Sequence, residues 1–250
     1  MSLTPAKSAY TLLFLAQLAI GAAALFARYA LSGAGPIEVS ALRLTIAAVP
    51  LFILSLVFCR KSVPTLKHEA LFFLAGMFLA VHFGTWIASL QFTSVAVSTL
   101  LVSTAPVWTS LVDVLILKRK LSVNFWYALV AGGIGTILVV GGETAGMAPR
   151  AGLSGLGNVL AASGGLAFAL YLLSVRSIAH LYPTIQVVGR TYSHAAIFLT
   201  VAAVIANESP PGTNLVCWGG IIGMAVISQM LGHTGLNASL QYFPTSTVAI

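Results

Sequence analysis

The chain has 250 residues, of which 58% are hydrophobic and 7% charged, with a formal net charge of +7. A soluble domain carries about 25% charged residues, so this chain cannot cover a water-facing surface and reads as a polytopic membrane protein. The basic residues sit in short clusters between apolar runs, where cytoplasmic loops hold them, which points to the lipid bilayer as partner and away from nucleic acid.

A bilayer core of about 30 Å needs about 20 apolar residues per helix. In chain order, such runs predict helices over 9–31, 37–59, 70–91, 94–117, 123–141, 152–176, 184–206 and 215–241, with a ninth beginning after Pro244. The first run follows Lys7, and its "AAA" at 22–24 resembles a signal cleavage site. Its unbroken length from Ser8 to Leu31 makes it a spanning helix instead. The connections, such as "RKSVPTLKHE" at 60–69 and "NESPPGTN" at 207–214, are too short for a soluble domain. Cys59 and Cys217 lie far apart near the ends of apolar runs and suggest neither a disulfide framework nor a metal or redox site.

Orientation follows from Lys and Arg. Lys7, Arg60, Lys61, Lys67, Lys118, Arg119, Lys120 and Arg176 fall on one side, and Arg150, with Arg28, on the other. The N-terminus is therefore expected in the cytoplasm of a cell-membrane protein. Glu143 and Glu208 fall in the outer loops.

The chain repeats itself. "ASLQF" at 88–92 returns as "ASLQY" at 238–242, and "GPIEVSALRL" at 35–44 has a counterpart in "YPTIQVVGRT" at 182–191. Seven positions separate Pro36 from Arg43 and Pro183 from Arg190, and the offset stays at 147 to 150. Such a unit holds five helices, and an odd number forces the second copy to enter the membrane from the opposite side. The expected fold is all-α, an inverted repeat of two five-helix halves, with a first repeat over 1–142 and a second over 152–250. That symmetry is a known device of secondary transporters. By analogy with the first copy, the second would continue for roughly 40 residues. Ten helices are expected, about eight and a half are present, and the chain is expected to be a fragment or a truncated product.

Two five-helix halves, the Pro/Arg pattern of helix two and "ASLQFTSVAVSTLLVSTAPVWTSL" at 88–111 resemble the drug/metabolite transporter superfamily, ten-helix EamA-type branch. The resemblance implies export or exchange of small polar metabolites such as amino acids, through a central cavity lined by both halves. One position departs from the family. Members commonly carry Glu in a Glu-Arg-Leu-Ser text after helix four, where this chain has Arg119 in "RKLS".

Polar residues within spans are costly and face a bundle interior or an aqueous cavity. In helix eight Gln229, His233, Asn237 and Gln241 recur every four residues and share one face. That face lines a substrate cavity or bonds neighbouring helices, with Gln241 placed as an interfacial end residue. In helix three His82 and Trp86, one turn apart, offer a hydrogen-bonding ring beside an apolar wall. Gln17 and Asn158 are lone amides at comparable places in the two halves. Ser98, Thr99, Ser103 and Thr104 allow close helix approach, and Pro106 can kink helix four. The expected substrate-binding residues are His82, Trp86, His233, Asn237, Gln17 and Gln229. Arg43 and Arg190, equivalent in the repeat yet near opposite faces, are expected to gate or anchor their own sides. Asp113 can snorkel or meet a basic neighbour.

"GLSGLG" at 152–157 lacks GxGxxG spacing and a preceding strand, and no GxxxxGK[ST], HExxH or GxSxG is present. No cofactor, metal site or catalytic residue is implied. The expected function is a secondary transporter of small organic metabolites, not an enzyme. The alternatives are a membrane-embedded enzyme acting on lipid or peptide, which would need clustered catalytic groups, and a channel-like pore.

Overall fold

The computed structural model describes residues 5–60, 62–116, 118, 120, 122–142 and 153–249. Lys61, Arg119, Glu143 and Arg150, named above, lie outside them. Every regular element among the described residues is helical. In chain order these are α1 (Pro5–Gly21 continued by Ala23–Ala30), α2 (Pro36–Phe58), α3 (Leu66–Ser89) and α4 (Val95–Val102, Ala105–Leu111 and Val112–Ile116). Then come α5 (Val123–Gly142), α6 (Ser154–Arg176), α7 (Thr184–Ile205), α8 (Leu215–Gly223, Met224–His233 and Thr234–Ser239) and α9 (Thr245–Val248). Over their described residues seven of them, α1 to α4 and α6 to α8, are long and apolar enough to cross a membrane. The protein is a polytopic all-α membrane protein.

Local chemistry sets the helix starts. Thr65, Ser94 and Asn214 each accept a hydrogen bond from the backbone N–H three residues on, satisfying one orphan donor of α3, α4 and α8. Pro36 occupies the first turn of α2, where no N–H is needed. Asn207, in the left-handed region at φ 51°, closes α7. Glu208 then turns back, and its Oε2 accepts the Glu38 backbone N–H at 2.8 Å, placing a carboxylate at the start of α2. α4 is broken at Ser103 and Thr104, ahead of Pro106, as that proline's missing N–H requires.

Large apolar side chains such as Phe14, Leu18, Phe58 and Ile205 point outward, and the interior combines alanines with large side chains such as Phe72, Leu79, Tyr171 and Tyr192 and a set of polar ones. Without a hydrophobic force between helices in lipid, association rests on close packing. Gly189 of α7 shows how close: a Cβ there would lie 3.0 Å from the Leu51 carbonyl oxygen of α2. α2 packs on α7, α3 on α6, and α1 on α8. Exchanging the two halves turns the α3–α6 pair into α8–α1 and leaves α2–α7 in place.

The repeated pentapeptides end α3 and α8 in the same way. Phe92 and Thr93 N–H groups both bond the Ser89 carbonyl, and Tyr242 and Phe243 N–H groups both bond the Ser239 carbonyl. Each turn is then held by α6, from opposite ends of it. Thr93 donates to Asn158 Oδ1 at 2.9 Å near the start of α6, and Arg176, the last residue of α6, donates to the Leu240 and Phe243 carbonyls. Asn158 thus serves to tie helices. Gln241 does the same, donating to Thr184 Oγ1 at 3.1 Å, and the free thiol of Cys217 donates to the Ala30 carbonyl at 2.8 Å. Buried Asp113 faces a polar cleft shared with Lys120, Arg176 and Ser246.

Candidate functional site

Where α1, α3, α4, α6 and α8 converge, they line a partly open cavity of about 180 Å³. Gln17 and the Gly21 end of the first α1 segment form one wall. His82, Phe83 and Trp86 of α3 form another, and Thr99 and Ser103 of α4 a third. Phe168 of α6 and His233 of α8 come from the second half of the chain.

The rings form a continuous wall. His82 lies nearly parallel to Trp86, at 7° and 6.3 Å between centroids, and 4.7 Å from Phe168. His233 meets Phe83 edge to face at 5.2 Å and Phe168 at 5.6 Å. The two histidines, one from each half, are 6.3 Å apart. His82 Nδ1 donates to the Gly164 carbonyl at 2.9 Å, so its Nε2 carries the free lone pair. His233 Nδ1, Trp86 Nε1 and Thr99 Oγ1 are buried without a hydrogen-bond partner among the described residues. An apolar, aromatic enclosure with a few polar groups is the usual build of a small-molecule pocket.

Of the residues expected from sequence, His82, Trp86, His233 and Gln17 come together on this cavity. Gln17 also ties α1 to α9 by donating to the Val248 carbonyl at 3.2 Å. Asn237 and Gln229 stand behind the wall. Asn237 Oδ1 accepts from Tyr171 at 2.8 Å, while its Nδ2 donates to the His233 carbonyl at 2.6 Å and reaches Tyr192 at 3.4 Å. It positions His233 against α6 and α7. Gln229 Oε1 accepts from Arg43 Nη2 at 2.7 Å. Both residues lie in the π-helical stretch Met224–His233, where Gln229 bonds Arg43 of α2 and His233 lines the cavity. Phe83 and Phe168 were missed because an aromatic residue in an apolar run carries no polar signal.

Arg43 and Arg190 have opposite surroundings. Arg190 lies at the start of α7, partly exposed, and pairs with Glu69 of α3 at 2.7 Å. Arg43 is fully buried, with its Cζ 4.0 Å from the centroid of Phe83. It turns into the bundle instead of snorkelling. Its Nε and Nη1 have no hydrogen-bond partner among the described residues. A cation–π contact contributes about 0.5 to 2 kcal/mol and a hydrogen bond from a charged group about 1.5 to 3 kcal/mol. Desolvating a buried ion costs several kcal/mol even after relaxation.

Comparison with known proteins fits this architecture. The model of the EamA-like transporter family matches residues 7–141. The chain belongs to the EamA-like transporter family. It is thus a multi-pass membrane protein and a membrane transporter of small solutes. A crystal structure of a protein 17% identical shares the fold with a TM-score of 0.72, covering 97% of this chain and 82% of that one. No curated protein matches the chain. In this EamA-like protein the expected drug/metabolite transporter resemblance and the helical fold agree with the family.

Proposed function

We propose that this protein is a secondary transporter that exports or exchanges small organic metabolites, such as amino acids, by alternating access. The cavity shared by the two halves carries the reading: His82 and Trp86 come from the first, Phe168 and His233 from the second. In secondary transporters with repeats, the site lies at the interface that rocking exposes to each side in turn. The packing of α3 on α6 and of α1 on α8 supports two halves, 1–142 and 152–250, of an inverted ten-helix repeat. The basic loops support a cell membrane with the N-terminus in the cytoplasm. Arg190 with Glu69 serves as an inner gate, and Arg43 tethers α2 to α8.

Counterflow in proteoliposomes tests the transport mechanism. Vesicles loaded with unlabelled substrate should transiently concentrate labelled substrate above equilibrium, which an alternating carrier does and a pore does not. Uptake that only equilibrates, without overshoot, would replace the carrier with a channel.

A further inference from the structure

Arg43 is a buried cation with no carboxylate partner among the described residues. Among the described residues its Nη2 donates to the neutral Gln229 amide, and its Nε and Nη1 have no acceptor. The repeat makes the missing counter-charge visible. Arg190, its equivalent seven residues after Pro183, has Glu69 at 2.7 Å. Adding the repeat offset of 147 to 150 to Glu69 lands on Val216, Cys217, Trp218 and Gly219, none of them acidic.

The cavity is next to this charge. Phe83 forms cavity wall on one side and carries the Arg43 guanidinium 4.0 Å from its ring centroid on the other. His233, with Nδ1 unpartnered, meets the same ring at 5.2 Å. The Phe83 ring lies between the guanidinium and the cavity, and Arg43 reaches the wall only when that ring reorients. Nε and one Nη of a guanidinium form the two-pronged donor that matches a carboxylate. In Arg43 the free Nε and Nη1 lie on different edges of the guanidinium, so each donates singly, and a two-pronged pairing also draws on the second hydrogen of Nη2.

We propose that the cavity takes an anionic group, the carboxylate of the substrate, and that Arg43 recognises it, with His233 Nδ1–H as a further donor. The substrate supplies the charge that Glu69 supplies to Arg190. This rests on reading the cavity as the substrate site, and it selects acids over amines and neutral solutes.

Three probes with one ring and different charge test it: benzoate, benzamide and benzylamine. A cavity of roughly 150 Å³ takes a benzene-sized molecule, so their common ring suits the space. Binding is measured by calorimetry on the purified full chain in detergent, in a sulfate buffer. The expected result is benzoate tighter than benzamide by about tenfold or more, with benzylamine weakest. In Arg43→Gln the benzoate preference should collapse to within about threefold, and in Arg43→Lys part of it should survive. Gln229→Glu keeps the arginine and gives it an internal partner, so it should also abolish the preference and covers the case in which Arg43→Gln does not fold. Equal binding of benzoate and benzamide to the unaltered protein, or a preference that survives Gln229→Glu, would overturn the anion assignment. Replacing sulfate by chloride separates the sources: a benzoate affinity about tenfold lower in chloride would assign the site to an inorganic anion and overturn the substrate carboxylate. Saturable binding of none of the three probes would instead overturn the cavity as the substrate site.

Discussion

Arg190 and Glu69 form an ion pair of 2.7 Å that joins the second turn of α7 to the first turn of α3. Gln186 of α7 bonds the Ser62 carbonyl and His68 of α3 bonds Tyr182 at 2.7 Å, so this end is held at three points. On the opposite side the join is Glu208 to the Glu38 N–H, with Asn214 donating to the Ser32 carbonyl at 3.4 Å. The two sides are closed by different chemistry, one ionic and one largely backbone-directed.

The ion pair is therefore expected to control inner accessibility. Its side chains are 24% and 35% exposed, which limits its value to about 0.2 to 1 kcal/mol. Arg190→Ala should raise thiol labelling of a cysteine placed at Ser62, in a Cys59→Ser background, by roughly two- to fivefold. Arg43→Ala, which releases α2 from α8, should bias the protein toward outward-open. The swap Glu69→Arg with Arg190→Glu should restore the inner rate. Unchanged labelling in Arg190→Ala, with the protein folded, would reduce the pair to an anchor.

A second prediction concerns neighbouring glycines on α8. A Cβ on Gly220 would meet the Ala30 backbone nitrogen and lie 2.6 Å from the Phe26 carbonyl oxygen, whereas one on Gly219 would meet nothing. Backbone cannot yield as a flexible side chain does. Gly220→Ala should cost about 1 to 3 kcal/mol, and Gly219→Ala should be neutral or gain up to about 1 kcal/mol from helix propensity. Thermal unfolding in detergent compares them directly. Equal melting temperatures would mean that α1 and α8 pack less closely than described.

His82→Ala and His233→Ala should each lower counterflow by about tenfold or more while the protein remains folded, because each removes a cavity polar group. Leu18, 59% exposed on α1, is the control, and its alanine variant should transport normally. Equal activity of all three variants would move the substrate path elsewhere.

Orientation is checked by labelling in intact cells. A cysteine replacing Lys120, in the loop between α4 and α5, should be protected from an impermeant reagent until the membrane is opened. Labelling from outside would reverse the assigned topology.

Much of this architecture was already legible in the one-dimensional pattern. Long apolar runs with few charges have only a bilayer to be buried in, and the predicted spans match the helices to within a few residues, α1 and α3 each starting four residues early, at Pro5 and Leu66. His82, Trp86, His233 and Gln17 stood out because a polar or amphipathic group within such a run needs a partner or a cavity. Which of them meet was decided only in three dimensions. His82 and His233 are out of register by one residue in the repeat, yet their rings lie 6.3 Å apart, because their meeting depends on how α3 and α8 rotate against α6. Four-residue spacing put Gln229 and His233 on one face, yet Gln229 is taken up by Arg43 while His233 lines the cavity. Equivalent positions in the repeat made Arg43 and Arg190 look alike. A neighbouring helix supplied a carboxylate to one and an aromatic ring and an amide to the other, and spacing along a single helix carries no record of that difference.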